Sequence, residues 1–228
     1  MKAYPVLLLA AALGGCAAAP GPELRNFQPK IANPSAIIAA EIAFNQRAQQ
    51  KGQWTAFRET AARDAIMFVP QPTLAPEWLK GRADPAQSVK WQPHKAFMSC
   101  DGKTGVTTGA WQGAKGSVGY FTTVWQFVEK NARGDGEWKW VVDHGDALTA
   151  PRMPKEMIET KVASCKGRAP AALVAPPEGA VMKTGYARDQ SLSYAYVVQP
   201  NGARTIEVKL WNGEVSETVI SDQVAAQP

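Results

Sequence analysis

The stretch Ser117–Ala147, SVGYFTTVWQFVEKNARGDGEWKWVVDHGDA, decides how the chain is read. Two runs alternate and are rich in aromatic and β-branched residues, Ser117 to Lys130 and Glu137 to Ala147. Gly134-Asp135-Gly136 sits between them as turn chemistry, so the pair reads as a long β-hairpin. Upstream, Lys95 to Asp101 and Gly105 to Gln112 are two further strands, broken at Asp101-Gly102 and Gly113. Four antiparallel strands in series make a meander.

Before the strands the texture is helical. Asn33-Pro34 can open a helix, asparagine as its cap and proline in its first turn. The pattern runs to about Lys51 and stops at Gly52. Trp54, Phe57 and Ala61 mark a second helix over Trp54 to Ala62. Ala65 to Pro70 reads as a short buried strand. Gln71 to Pro93 is proline-rich loop, with a short helix expected near Pro85 to Val89. Arg168 to Gly179 reads as a linker. Ser191 to Gln199, Ala203 to Trp211 and Glu214 to Ser221 read as three more strands, joined by Pro200-Asn201-Gly202 and Asn212-Gly213.

The extreme N-terminus reports location. Lys2 precedes an apolar run from Val6 to Leu13, followed by Leu13-Gly14-Gly15-Cys16. A charged head, a short apolar core and small residues before a cleavage point make a secretory signal. Closing on Leu-Gly-Gly-Cys, it resembles a bacterial lipoprotein signal. That resemblance implies acylation of Cys16, with each buried methylene adding about 0.8 kcal/mol of membrane affinity. Ala17 after the cysteine implies the outer membrane, with the protein facing the periplasm. Residues 16–33 then form a tether, and residues 1–15 are removed.

The 228 residues are 45% hydrophobic and 20% charged, enough for a proper core. The net charge of +5 comes from scattered lysines and arginines, which excludes a nucleic-acid face. With Cys16 acylated, Cys100 and Cys165 remain as an even pair. In an oxidising compartment they are a candidate disulfide. Two histidines without ligand spacing imply no metal site, and no motif implies a cofactor.

The order of elements resembles the nuclear transport factor 2-like superfamily, the SnoaL-like cone, over residues 34–150. Its carriers are Ala40-Glu41-Ile42-Ala43-Phe44, Ala62-Arg63-Asp64-Ala65, Thr108-Gly109-Ala110-Trp111, Gly119 to Trp125, and Trp138 to Gly145. The resemblance implies an α+β fold in which helices pack on a curved antiparallel sheet. Residues 151–228 would add a linker and a three-stranded C-terminal β meander. Such folds host isomerases, dehydratases, hydrolases and binders, so the resemblance implies a pocket and no particular reaction. It also implies that a homodimer is open to the chain.

Helical spacing places Ile37, Glu41, Phe44, Asn45 and Ala48 on one face. Glu41 against apolar walls could act as an acid or base, or it could simply be paired. Strand alternation places Trp138, Trp140, Val142, His144 and Asp146 on one side, with Asp143 on the other. His144, oriented by Asp146, could be a general base or a structural histidine. Tyr120, Trp125 and Trp140 could line a pocket or fill the core, and Tyr120 and Trp125 point to opposite faces. His94 reads as a surface residue.

Two functions follow. One is a periplasmic lipoprotein that binds a small apolar ligand or an envelope protein partner. The other is a small-molecule isomerase, dehydratase or hydrolase using Glu41 or His144.

Overall fold

In the computed structural model, which describes residues 32–170 and 175–226, the expected hairpin is two long paired strands. The expected signal, Cys16 and nearly all of the expected tether lie outside the described residues. The elements run α1 (Ser35–Lys51), α2 (Gln53–Thr60), β1 (Ala61–Phe68), β2 (Pro72–Leu74), α3 (Ala75–Leu79) and β3 (Lys90–Met98). They continue with β4 (Thr104–Gln112), β5 (Val118–Glu129), β6 (Gly136–Leu148), β7 (Glu159–Val162) and β8 (Val181–Tyr186). The chain closes with β9 (Leu192–Val198), β10 (Arg204–Trp211) and β11 (Ser216–Val224).

The α+β cone expected from the sequence is corrected here. The chain is mostly β, 46% strand against 17% helix. Its main sheet has seven strands in the order β2-β1-β6-β5-β4-β3-β7 and is mixed rather than antiparallel. The β1–β6 and β3–β7 pairs are parallel. The C-terminal part is a separate four-stranded sheet, β11-β10-β9-β8, rather than a three-stranded meander. Local patterning could not show this. Parallel pairs join segments far apart in the chain, and β7 and β8 are short, exposed strands without a clean alternation.

Strand alternation divides the main sheet between two cores. Met67, Trp91, Met98, Phe121, Trp125 and Trp140 face the helices, where Ile37, Phe44, Ala48 and Phe57 meet them. Phe97, Val106, Val124, Val141 and Val142 face the second sheet, packing on Leu192, Tyr196, Ile206, Val208 and Leu210. The molecule is therefore three layers deep, helices on sheet on sheet.

Local chemistry sets the helix ends. Asn33 Oδ1 accepts from the Ser35 amide at 3.0 Å, opening α1. Gly52, at φ 107°, turns the chain from α1 into α2. A Cβ there would run into the Asp84 carboxyl group, so only glycine fits. That carboxylate accepts from the Thr55 amide (2.9 Å) and hydroxyl (2.6 Å), supplying α2 with a cap from outside the helix. The short helix expected near Pro85 lies instead at Ala75–Leu79, where Pro76 occupies the first turn.

Candidate functional site

Between the helices and the main sheet lies a cavity of about 280 Å³. Phe44 of α1, Trp54 and Phe57 of α2, Met67 of β1, Trp91 of β3 and Phe121 of β5 supply its apolar wall. Exposed Ala147 also lines it, so it opens to solvent. Aromatic side chains meet around it in edge-to-face and tilted pairs. Phe44 and Trp91 have ring centroids 4.8 Å apart, and Phe44 and Phe57 4.7 Å. β6 contributes Asp143 to this lining, with Asp146 further along the same strand.

Asp143 faces the cavity because β6 carries a bulge. Val124 pairs with Val142 but Trp125 pairs with Trp140, so Val141 is the extra residue. Val141 and Val142 both face the second sheet. Beyond them the alternation is inverted. Asp143 now lies on the helix side with Trp140, and His144 and Asp146 turn the other way.

Burial pushes the Asp143 carboxyl up to about 7, the nearby Glu41 carboxyl adds to this, and a hydrogen bond from Thr123 Oγ1 (3.0 Å) opposes it. Glu41 itself is fully buried behind the cavity wall. Trp91 Nε1 donates to its Oε1 at 2.6 Å. Thr107 Oγ1 (2.5 Å) and Trp125 Nε1 (2.9 Å) donate to its Oε2. Burial raises its pKa, while these donors and Thr123 pull it down. Three fixed donors hold the two oxygens of Glu41, so it anchors the wall, and it does not border the cavity.

The remaining sequence candidates are dispersed. His144, 1% exposed, lies between the two sheets. Its Nδ1 accepts from Arg204 Nε at 3.3 Å, and its Nε2 is 3.4 Å from the Tyr120 hydroxyl. Burial, and then the Arg204 charge, lower its pKa to about 3. A ring whose Nδ1 lone pair is already used by a buried guanidinium is a poor base. Glu41 and His144 thus sit on opposite faces of the sheet, which separates the pair expected to share one site. Tyr120, His144 and Asp146 border the cavity, whereas Glu41, Asn45, Trp125 and Trp140 do not. Asn45 Oδ1 accepts from the Trp91 amide at 3.3 Å, tying α1 to β3. Trp140 is fully buried and donates to Thr60 Oγ1 at 3.1 Å. Cys100 and Cys165 are disulfide-bonded, with Cα atoms 5.3 Å apart.

Sequence reasoning passed over Asp143 and Trp91. The Val141-Val142 pair carries no mark of a bulge. Trp91 lies in a segment read as loop because of its prolines. His94, read as a surface residue, is buried.

No family model matches this chain, and no curated protein matches it. Among solved structures, a proposed aromatic ring hydroxylase from Novosphingobium aromaticivorans is similar over 51% of this chain and 90% of that chain, at 14% identity and a TM-score of 0.35. A likeness at that level settles neither fold nor chemistry.

Proposed function

We propose that this protein binds a small, flat, mostly apolar molecule carrying one hydrogen-bonding group. The observation that carries the reading is the Asp143 carboxyl group set among aromatic side chains. An apolar cavity of about 150 Å³ holds benzene, so about 280 Å³ suits a molecule of one or two rings. The aromatic edges and faces supply affinity, and Asp143 selects the polar group. With a pKa near 7 the carboxyl can donate to a carbonyl or accept from a hydroxyl.

The same observation favours a second reading. A carboxyl whose pKa lies near 7 in a largely apolar cavity suits proton transfer, as in an isomerase or dehydratase. Asp143 would then be the base, in place of Glu41 or His144.

We further propose that the chain works anchored through Cys16 at the outer membrane, facing the periplasm. The support is the Lys2 to Cys16 signal pattern, and the Cys100–Cys165 bridge agrees with an oxidising compartment.

Titration with 2-naphthol, followed by tryptophan fluorescence, tests the binding reading, because Trp54, Trp91 and Trp111 line the cavity. Saturable quenching that weakens about tenfold in Asp143→Ala is expected, the worth of one hydrogen bond to a charged or strongly polar group. Quenching that is absent, or equal in both proteins, would reject it.

A further inference from the structure

We propose a second ligand site on the opposite face of the main sheet. It would hold a small oxyanion-bearing molecule with its anionic group between the Arg152 guanidinium and the His94 imidazole. The cavity there measures about 350 Å³ and lies between β3 and β4 of the main sheet, β11 of the second sheet and the segment 149–158. It does not share a side chain with the aromatic cavity's lining.

Three observations point to a ligand. First, His94 is only 9% exposed and its Nε2 has no hydrogen-bond partner among the described residues. A buried polar nitrogen left unpaired is costly, so its retention needs a reason. Second, the β3–β4 register shifts between Pro93 and Lys95. The bulge lets His94 and Lys95 both line this pocket, where strict alternation would have sent one of them away. Bulges commonly re-aim side chains toward sites.

Third, Arg152 is fixed but underused. Its guanidinium lies over the Tyr120 ring, 4.4 Å from the centroid. One N–H donates to Thr108 Oγ1 at 3.2 Å, and Asp222 Oδ1 stands off at 3.9 Å. A guanidinium has five N–H donors in a planar fork, so most remain available for a carboxylate or phosphate. Asp222 is otherwise engaged by the Thr122 hydroxyl at 2.6 Å. Lys95 and Lys155 both pair with Glu159, leaving the lining positive by one charge, three cations against two carboxylates. Burial, and then the Arg152 charge, hold His94 below its ordinary pKa.

The chain has two histidines, so their ring resonances can be followed separately by nitrogen-15 NMR. His144 serves as the internal control. The protein is titrated with inorganic phosphate and, separately, with sodium acetate, at ionic strength held constant with chloride. A saturable shift of the His94 ring with either probe, His144 staying still, supports the site. Which probe acts tells whether a phosphate or a carboxylate is preferred. Arg152→Gln is expected to weaken binding about tenfold, the loss of a charge-assisted contact. If that variant does not fold, Arg152→Lys carries the test, with weaker binding expected because an ammonium lacks the planar fork. No saturable shift with either probe, equal movement of both histidines, or unchanged affinity in the arginine variant overturns the proposal.

Discussion

Asp143 and His144 are consecutive in the chain and face opposite layers of the molecule. Asp143 looks toward the aromatic cavity, and His144 lies against Arg204 of the second sheet. One inserted residue, Val141, produces this division. Burial favours the neutral form of each, so their pKa values move in opposite directions, up to about 7 and down to about 3.

The pH dependence of stability should show both. Asp143 holds its proton more tightly when folded. Its contribution is full below the ordinary value of 3.8 and is lost as pH rises through about 7. His144 works the other way. Its contribution is full above 6.5 and is lost as pH falls through about 3. Relative to wild type, Asp143→Asn should gain stability as pH rises across its window, on the order of 2–4 kcal/mol. His144→Gln should gain relative to wild type as pH falls across the other window. Urea denaturation over a pH series checks both, and variants that track wild type at every pH would contradict the burial argument.

The Glu41 carboxylate is the point on which the cavity wall converges. It draws Trp91, Trp125 and Thr107 from three different strands onto one helix. Removing it leaves the Trp91 indole and the Thr107 hydroxyl without that acceptor, and the Trp125 indole with only Thr107 Oγ1 at 3.1 Å. Glu41→Ala should therefore lower stability by about 3–5 kcal/mol, and Glu41→Gln by less, because the amide oxygen still accepts while its NH2 faces a donor. The midpoint of urea unfolding should fall with its slope unchanged. A Glu41→Ala protein as stable as wild type would show that the indoles find other partners.

Much of this arrangement was written in local pattern. The 3.6 period put Glu41 inward with Phe44, and burial followed. The turn glycines and the alternation of β5 located the strands and set Tyr120 and Trp125 on opposite faces. What failed was everything decided by registry between distant segments. Alternation along β6 was sound up to Trp140, and one bulge then exchanged the fates of Asp143 and His144. His94 was misplaced for the same reason, at a second bulge, beside a proline that discouraged a strand reading. The parallel partners β6 for β1 and β7 for β3 have no local signature. The α+β expectation weighted two helices of about correct length; three strands of the second half were read, but the short β7 and β8 were not.

The Cys100–Cys165 bridge joins the end of β3 to the segment after β7, across a separation of 65 residues. Its neighbourhood already holds the two sheets together. The Cys100 amide donates to Ser191 Oγ at 2.8 Å, and the Ser164 amide donates to the Trp211 carbonyl at 2.7 Å. Crosslinking a loop of that length removes unfolded-state entropy worth about 4 kcal/mol in the chain-entropy model. The Cys100→Ala, Cys165→Ala double variant should therefore unfold at markedly lower urea. Its folded state should still show the native hydrogen bonds by amide exchange, because they do not depend on the bridge. The loss should appear with equal size whether unfolding is followed at the first sheet or the second, since both cores pack on the one main sheet and melt together. An unchanged midpoint would mean that the unfolded chain gains little freedom from the cut. A midpoint that drops only for the second sheet would mean that the bridge, rather than the shared core, couples the two layers.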